Sequence, residues 1–141
     1  SDCTRMFSAG KLSNEWMERL DDMIEIRDKV VSSLSSGNYC STTWEMGSEL
    51  AKEMGYENNL MGMSPDKSSF LGHSVGLELD ETPVIAKGFD RPLNYGGTMA
   101  IEPKVIYDNG CIGTEDTFVR TRNGMEYITM GDKFPLITDW N

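Results

Sequence analysis

Apolar side chains recur at three- and four-residue steps from Trp16 through Leu20, Met23, Ile24, Val30 and Val31 to Leu34, with Arg27 on the same stripe. Glu18, Asp21, Asp22, Glu25 and Asp28 occupy the other side. The spacing predicts an amphipathic helix that starts from Ser13 as N-cap and stops near Ser36-Gly37. A second helix of about twelve residues follows, because Thr42 with Glu45 three residues on forms a capping box and Gly55 suits a helix end. Met46, Leu50 and Met54 carry its apolar stripe. Ahead of the first helix, residues 3–8 suit a short strand ending at Ala9-Gly10. After the second, residues 56–67 read as loop, and 68–79, apolar and punctuated by glycine, as extended chain. Residues 98–107 and 114–121 are rich in β-formers and flank Asp108-Asn109-Gly110, a strong hairpin signal, and Asn123-Gly124 turns into a last strand over 125–130. Two helices packed on one antiparallel sheet is an α+β arrangement.

Composition adds bounds rather than elements. The 141 residues suit one domain with a buried core, and neither a repeat, a low-complexity tract nor an interdomain linker interrupts them. The net charge of -10 repels nucleic acid and anionic membranes, leaving cations as natural partners, although an acidic surplus also serves solubility alone. Cys3, Cys40 and Cys111 lie far apart and form no C-x-x-C pair, which argues against a disulfide framework or thiolate zinc and for a reducing, cytoplasmic setting. Neither a signal-peptide pattern nor an apolar run near 18 residues is present. The chain opens at Ser1-Asp2-Cys3 without Met and at once reads as a strand, so it is expected to be part of a longer chain. Trp16, Trp44 and the methionines at helical spacing read as core rather than as substrate contacts.

The candidate chemistry lies in the hairpin. A loop centred on Asp108-Asn109 sets Glu102 directly opposite Glu115, whereas centring on Asn109-Gly110 shifts the register by two. Facing carboxylates destabilise a ladder by up to about 1 kcal/mol unless a cation lies between them. His73, the only histidine, sits in Gly72-His73-Ser74-Val75-Gly76, where glycines permit close approach. A lone histidine is usually structural. A neutral imidazole among carboxylates nevertheless suits Mn, Fe, Co or Zn.

These segments resemble a known family. Ser1-Asp2-Cys3-Thr4-Arg5-Met6-Phe7, Gly72-His73-Ser74-Val75-Gly76-Leu77-Glu78, Ile101-Glu102-Pro103 and Glu115-Asp116-Thr117, followed by Asn123-Gly124-Met125-Glu126, are similar in order and spacing to the blocks of the pita-bread metallopeptidase superfamily. That superfamily holds Xaa-Pro dipeptidases, aminopeptidases and creatinase-like enzymes. The resemblance covers nearly the whole of 1–141 and implies a single catalytic domain with a partial pita-bread fold, its helices packed on a curved antiparallel sheet. It also implies a dinuclear site in which two aspartates, one histidine and two glutamates hold divalent ions, and a bridging hydroxide attacks the scissile carbonyl. Carried over, Asp2 and Glu115 bridge both metals and His73 and Glu102 bind one. Glu102 further accepts the nucleophile's proton, and Asp116 and Thr117 orient Glu115. The implied function is metal-dependent hydrolysis of short peptides at Xaa-Pro bonds with Mn, Co, Zn or Fe. Homodimers are common among such proteins.

Four departures qualify the resemblance. The family's first metal-binding aspartate lies on the strand preceding Asp2, ahead of this chain's start, so the chain by itself is expected to hold one ion or none, and the amino-terminal domain of the longer dipeptidases is not part of it. Asp80 stands where the family has a second, proton-donating histidine, and an ionised carboxylate has no proton to give unless it is protonated or holds a water. It is the remaining catalytic candidate, against the plainer reading of Asp80-Glu81 as a solvated turn before Pro83. Ser69 replaces a substrate-side histidine, and Gly113 an arginine that often precedes the metal-binding glutamate. Two other functions follow from these changes: a non-catalytic module that binds peptide or protein, or a different reaction such as amidine hydrolysis.

Overall fold

The computed structural model describes residues 2–131 and the backbone of 137–139. Helix α1 (Asn14–Ser35) begins where Ser13 Oγ accepts the Trp16 N–H at 3.4 Å and ends as Gly37 takes a left-handed φ of 84°. It buries Leu20, Met23, Ile26, Val30 and Leu34, each contributing roughly 1.5–3 kcal/mol by burial. Arg27, on the predicted stripe, is buried with them.

Helix α2 (Cys40–Glu53) starts earlier than the capping box implied, with Tyr39 as N-cap and no side-chain cap. Its first amides are satisfied by tertiary carbonyls instead: Cys40 N–H donates to Arg91 O at 2.9 Å and Ser41 N–H to Phe89 O at 3.1 Å. Thr42 is therefore an exposed residue within the helix. The other end behaves as expected: Gly55 N–H bonds Lys52 O and Tyr56 N–H bonds Ala51 O, a Schellman closure at φ 88°. The fully buried face is Thr43, Gly47 and Ala51, while Met46, Leu50 and Met54 are half-buried. Small residues are required there, since a Cβ on Gly47 would lie 2.7 Å from Leu71 and 3.2 Å from Val30.

Both helices pack on an antiparallel five-stranded sheet, ordered β3-β2-β4-β7-β8. Its strands are β2 (Phe70–Ser74), β3 (Glu81–Ala86), β4 (Thr98–Ile101), β7 (Asp116–Thr121) and β8 (Gly124–Tyr127). The hairpin strands β5 (Lys104–Tyr107) and β6 (Gly110–Gly113) form a separate ribbon. Short β1 (Met6–Ser8) pairs in parallel with β9 (Ile137–Asp139). Leu71, Ile85, Met99, Ile101, Val105, Ile112 and Phe118 meet the α1 face in one core, against which Trp16 and Trp44 pack half-buried.

The hairpin register is that of a loop centred on Asp108-Asn109: Tyr107 faces Gly110 and Lys104 faces Gly113. The same register continues through Ile101 opposite Asp116 to Thr98 opposite Val119. The first run expected from sequence, 98–107, is broken at this point and the second, 114–121, begins at it, because Pro103 offers no amide to a ladder and the Thr114 N–H to Pro103 O bond, 3.2 Å, spans the gap. Glu102 and Glu115 flank that break. Strand β3 was hidden by Pro83, which an edge strand tolerates. Conversely, the chain leaves the sheet after Ser74, and Leu77 and Leu79 are exposed. Among the described residues no helix is long and apolar enough to cross a membrane.

Candidate metal centre

Three elements deliver the donors. His73 stands near the end of β2, paired with Ala100 of β4, and the sequence permits this close pairing because a Cβ on neighbouring Gly72 would lie 2.2 Å from Ala100 O. Glu102 leaves β4 at the break, its N–H held by Leu71 O at 3.0 Å. Glu115 enters β7 from the opposite side of the break, and its backbone exchanges hydrogen bonds with Thr4. That bridge brings in Asp2, whose backbone N–H and carbonyl both engage Thr117 Oγ1, at 2.9 and 2.8 Å.

The outcome is a cluster in which Asp2, His73 and Glu115 each offer one ligand atom within 4.8 Å of the others. His73 Nε2 faces Asp2 Oδ2 at 3.7 Å and Glu102 Oε1 at 3.6 Å. Glu102 joins the cluster with that one oxygen only, since its Oε2 accepts a hydrogen bond from Lys104 Nζ. On the other side of the imidazole, Nδ1 lies 3.0 Å from Asp80 Oδ1 and 3.2 Å from Ser74 O. The Asp80 side chain is 70% exposed, so this contact lies at the solvent edge of the site.

Electrostatics marks the same spot. Burial, chiefly, pushes the Glu115 carboxyl above its ordinary range; the hydrogen bond donated by Thr4 Oγ1 opposes this, the negative charges of Glu102 and Asp2 add to it, and Lys104 opposes it. Carboxylates crowded in this way are poised for a cation. Two carboxylates and an imidazole nitrogen turned inward, its ring partner held by an oxygen acceptor, also fit a divalent ion by donor chemistry.

Asp116 faces away from this cluster, as strand alternation demands of Glu115's neighbour. Its fully buried carboxylate takes Arg5 Nη2 at 2.7 Å, Arg27 Nη1 at 3.3 Å and Thr129 Oγ1 at 2.6 Å. Arg5 also donates to the carbonyls of Thr4 and Glu115, so the buried charge group fastens the Asp2 segment to β7 from behind. Thr4, Arg5, Arg27, Thr129 and Lys104 were not anticipated as parts of the site. Arg27 gave the one usable signal, a charged residue on an otherwise apolar stripe. Beside the carboxylates lies a cavity of about 200 Å³ walled by Thr4, Met6, Lys104, Cys111, Ile112 and Gly113. Cys3, Cys40 and Cys111 are free thiols.

Comparison with known proteins meets this geometry. The sequence profile of metallopeptidase family M24 matches residues 1–122. An Xaa-Pro dipeptidase from Pyrococcus furiosus is 28% identical over 134 residues, which are 94% of this chain and 36% of that protein. Among solved structures, an X-Pro aminopeptidase from Thermotoga maritima superposes with a TM-score of 0.85 at 26% identity, covering 99% of this chain and 37% of that one. An Xaa-Pro dipeptidase from Bacillus anthracis gives 0.82 at 26% identity, covering 98% and 37%. The arrangement of two helices on the antiparallel sheet is thus part of a pita-bread fold, and the chain spans little more than a third of the relatives' length.

Proposed function

Because this chain belongs to metallopeptidase family M24, we propose that it is the metal-holding part of a peptidase that hydrolyses short peptides at Xaa-Pro bonds. The observation that carries the reading is the convergence of Asp2, His73 and Glu115 from three distant stretches of sequence, with Glu102 beside them. The substrate class is supported by the names of the relatives, Xaa-Pro dipeptidases and an X-Pro aminopeptidase.

Two divalent ions, of Mn, Co, Zn or Fe, would when bound polarise the scissile carbonyl and bring a water's ionisation near neutral pH. The residues do the rest. Asp2 and Glu115 each have two oxygens, which suits them to bridge, and Thr117 and Thr4 hold them in place. His73 presents the Nε2 lone pair because Asp80 and Ser74 O fix the proton on Nδ1. Glu102, whose Oε1 lies close to Nε2, would take the proton from the attacking water. Asp80 acts through His73, as a positioning residue.

The test is hydrolysis of an Xaa-Pro dipeptide by the natural protein, stripped of metal and reloaded with Mn(II) or Co(II). Turnover is expected, and Glu115→Ala is expected to abolish it; a fully metal-loaded sample without turnover contradicts the reading. A second reading, a non-catalytic peptide-binding module, draws on one feature, the aspartate at position 80. Activity that appeared only on Asp80→His would favour it.

A further inference from the structure

Lys104 is the one cation touching the carboxylate cluster among the described residues. Its ammonium bonds Glu102 Oε2, and the two residues, two apart in an extended segment, project to the same side. Gly113 faces the lysine across the β5–β6 ladder, and a Cβ there would come within 2.5 Å of Lys104 Cβ and 2.6 Å of Pro103 O, so the strands approach closely beside the pair. The pairing divides the carboxylate between two partners: Glu102 Oε1 lies 3.6 Å from His73 Nε2, beside the group formed by Asp2, His73 and Glu115, while Oε2 is taken by the lysine.

We propose that Lys104 is a built-in counter-ion of the metal centre, competing with a divalent ion for Glu102 and so setting how tightly the centre binds metal. The inference rests on the metal-centre reading above. An ion drawn to Glu102 Oε1 meets a carboxylate whose charge is already shared with the ammonium at Oε2, and a cation so near also repels the incoming charge. Both effects act in the same direction and weaken binding relative to a neutral residue at 104.

Calorimetric titration of the chelator-stripped natural protein with MnCl2 tests this on Lys104→Met, which keeps the stem, and Lys104→Arg, which keeps the charge. The side chain is 41% exposed, so neither change opens the core, and circular dichroism verifies the fold. Lys104→Met is expected to tighten Mn(II) binding by about tenfold at low salt, with Lys104→Arg near the parent. Equal or weaker binding by Lys104→Met, or tightening by both variants, overturns the counter-ion role alone. Failure of every form, the parent included, to bind Mn(II) overturns the metal-centre reading and this proposal with it.

Discussion

Replacing Asp116 by alanine leaves two guanidinium groups, those of Arg5 and Arg27, in a site where their side chains are 4% and 3% exposed, with no carboxylate between them. Removing one member of a buried, hydrogen-bonded charge group costs about 3–5 kcal/mol; Arg27 keeps the exposed Asp28 at 2.9 Å and Arg5 keeps backbone carbonyls, but both lose the buried carboxylate that neutralises them. That is a large part of the roughly 5–15 kcal/mol that usually holds a domain together. With an unfolding entropy of about 2.1 cal/mol/K per residue, a chain of this size loses about 10–17 °C in Tm for such a change. The Arg19–Glu15 pair, one helical turn apart, offers a contrast: Glu15 is 70% exposed, and Glu15→Ala, which leaves Arg19 on the Trp16 ring, should cost only about 0.3–0.5 kcal/mol. Urea unfolding of both variants against the parent gives the comparison. Since Arg5 also holds the carbonyls of Thr4 and Glu115, Asp116→Ala should weaken divalent-ion binding as well. Joint replacement of Arg5, Arg27 and Asp116 by apolar residues of similar volume should lose less stability than Asp116→Ala alone. A loss below about 1 kcal/mol for Asp116→Ala would refute the claim that this buried group ties the metal segment to the sheet.

Three further outcomes are expected. In metal-free protein the Glu115 carboxyl is raised above its unfolded range, so its contribution to stability is intact at low pH and is lost as pH rises through the folded value; Glu115→Gln should flatten the urea midpoint over that interval. Tyr56 donates to Asp22 at 2.5 Å, and burial, with that bond, pushes its phenol well above the ordinary range; Tyr56→Phe should cost about 1–2 kcal/mol and remove one late step from the ultraviolet phenolate titration. Asp80→Asn, which keeps an acceptor near His73 Nδ1 but not its charge, should weaken Mn(II) binding by about tenfold, the low end of such effects given the exposure of Asp80.

Much of this site could be read from local pattern. The 3.6-residue period and Ser13 gave α1, and one of the two registers open to the Asp108-Asn109-Gly110 loop, the one that sets Glu102 opposite Glu115, is the register adopted. His73 was legible from its glycines, one of which permits the close approach of β4. What escaped depends on contacts distant in sequence. The start of α2 is set by carbonyls of Phe89 and Arg91, which no helix-cap rule can see. Strand β3 carries a proline that only its edge position allows. Asp116 looked like a residue orienting Glu115 from alongside, whereas its partners Arg5 and Arg27 come from the start of the chain and from α1. Lys104 was invisible as a site residue because its place there depends on the carboxylate two residues before it, across the kink at Pro103.

The central claim is that Asp2, His73 and Glu115 hold a divalent ion together. Anomalous diffraction from crystals of the natural protein grown with Mn(II) tests it most directly. The strongest peak is expected about 2.0–2.3 Å from His73 Nε2 and from carboxylate oxygens of both Asp2 and Glu115. A peak elsewhere, or none there with Mn(II) in excess, would contradict it.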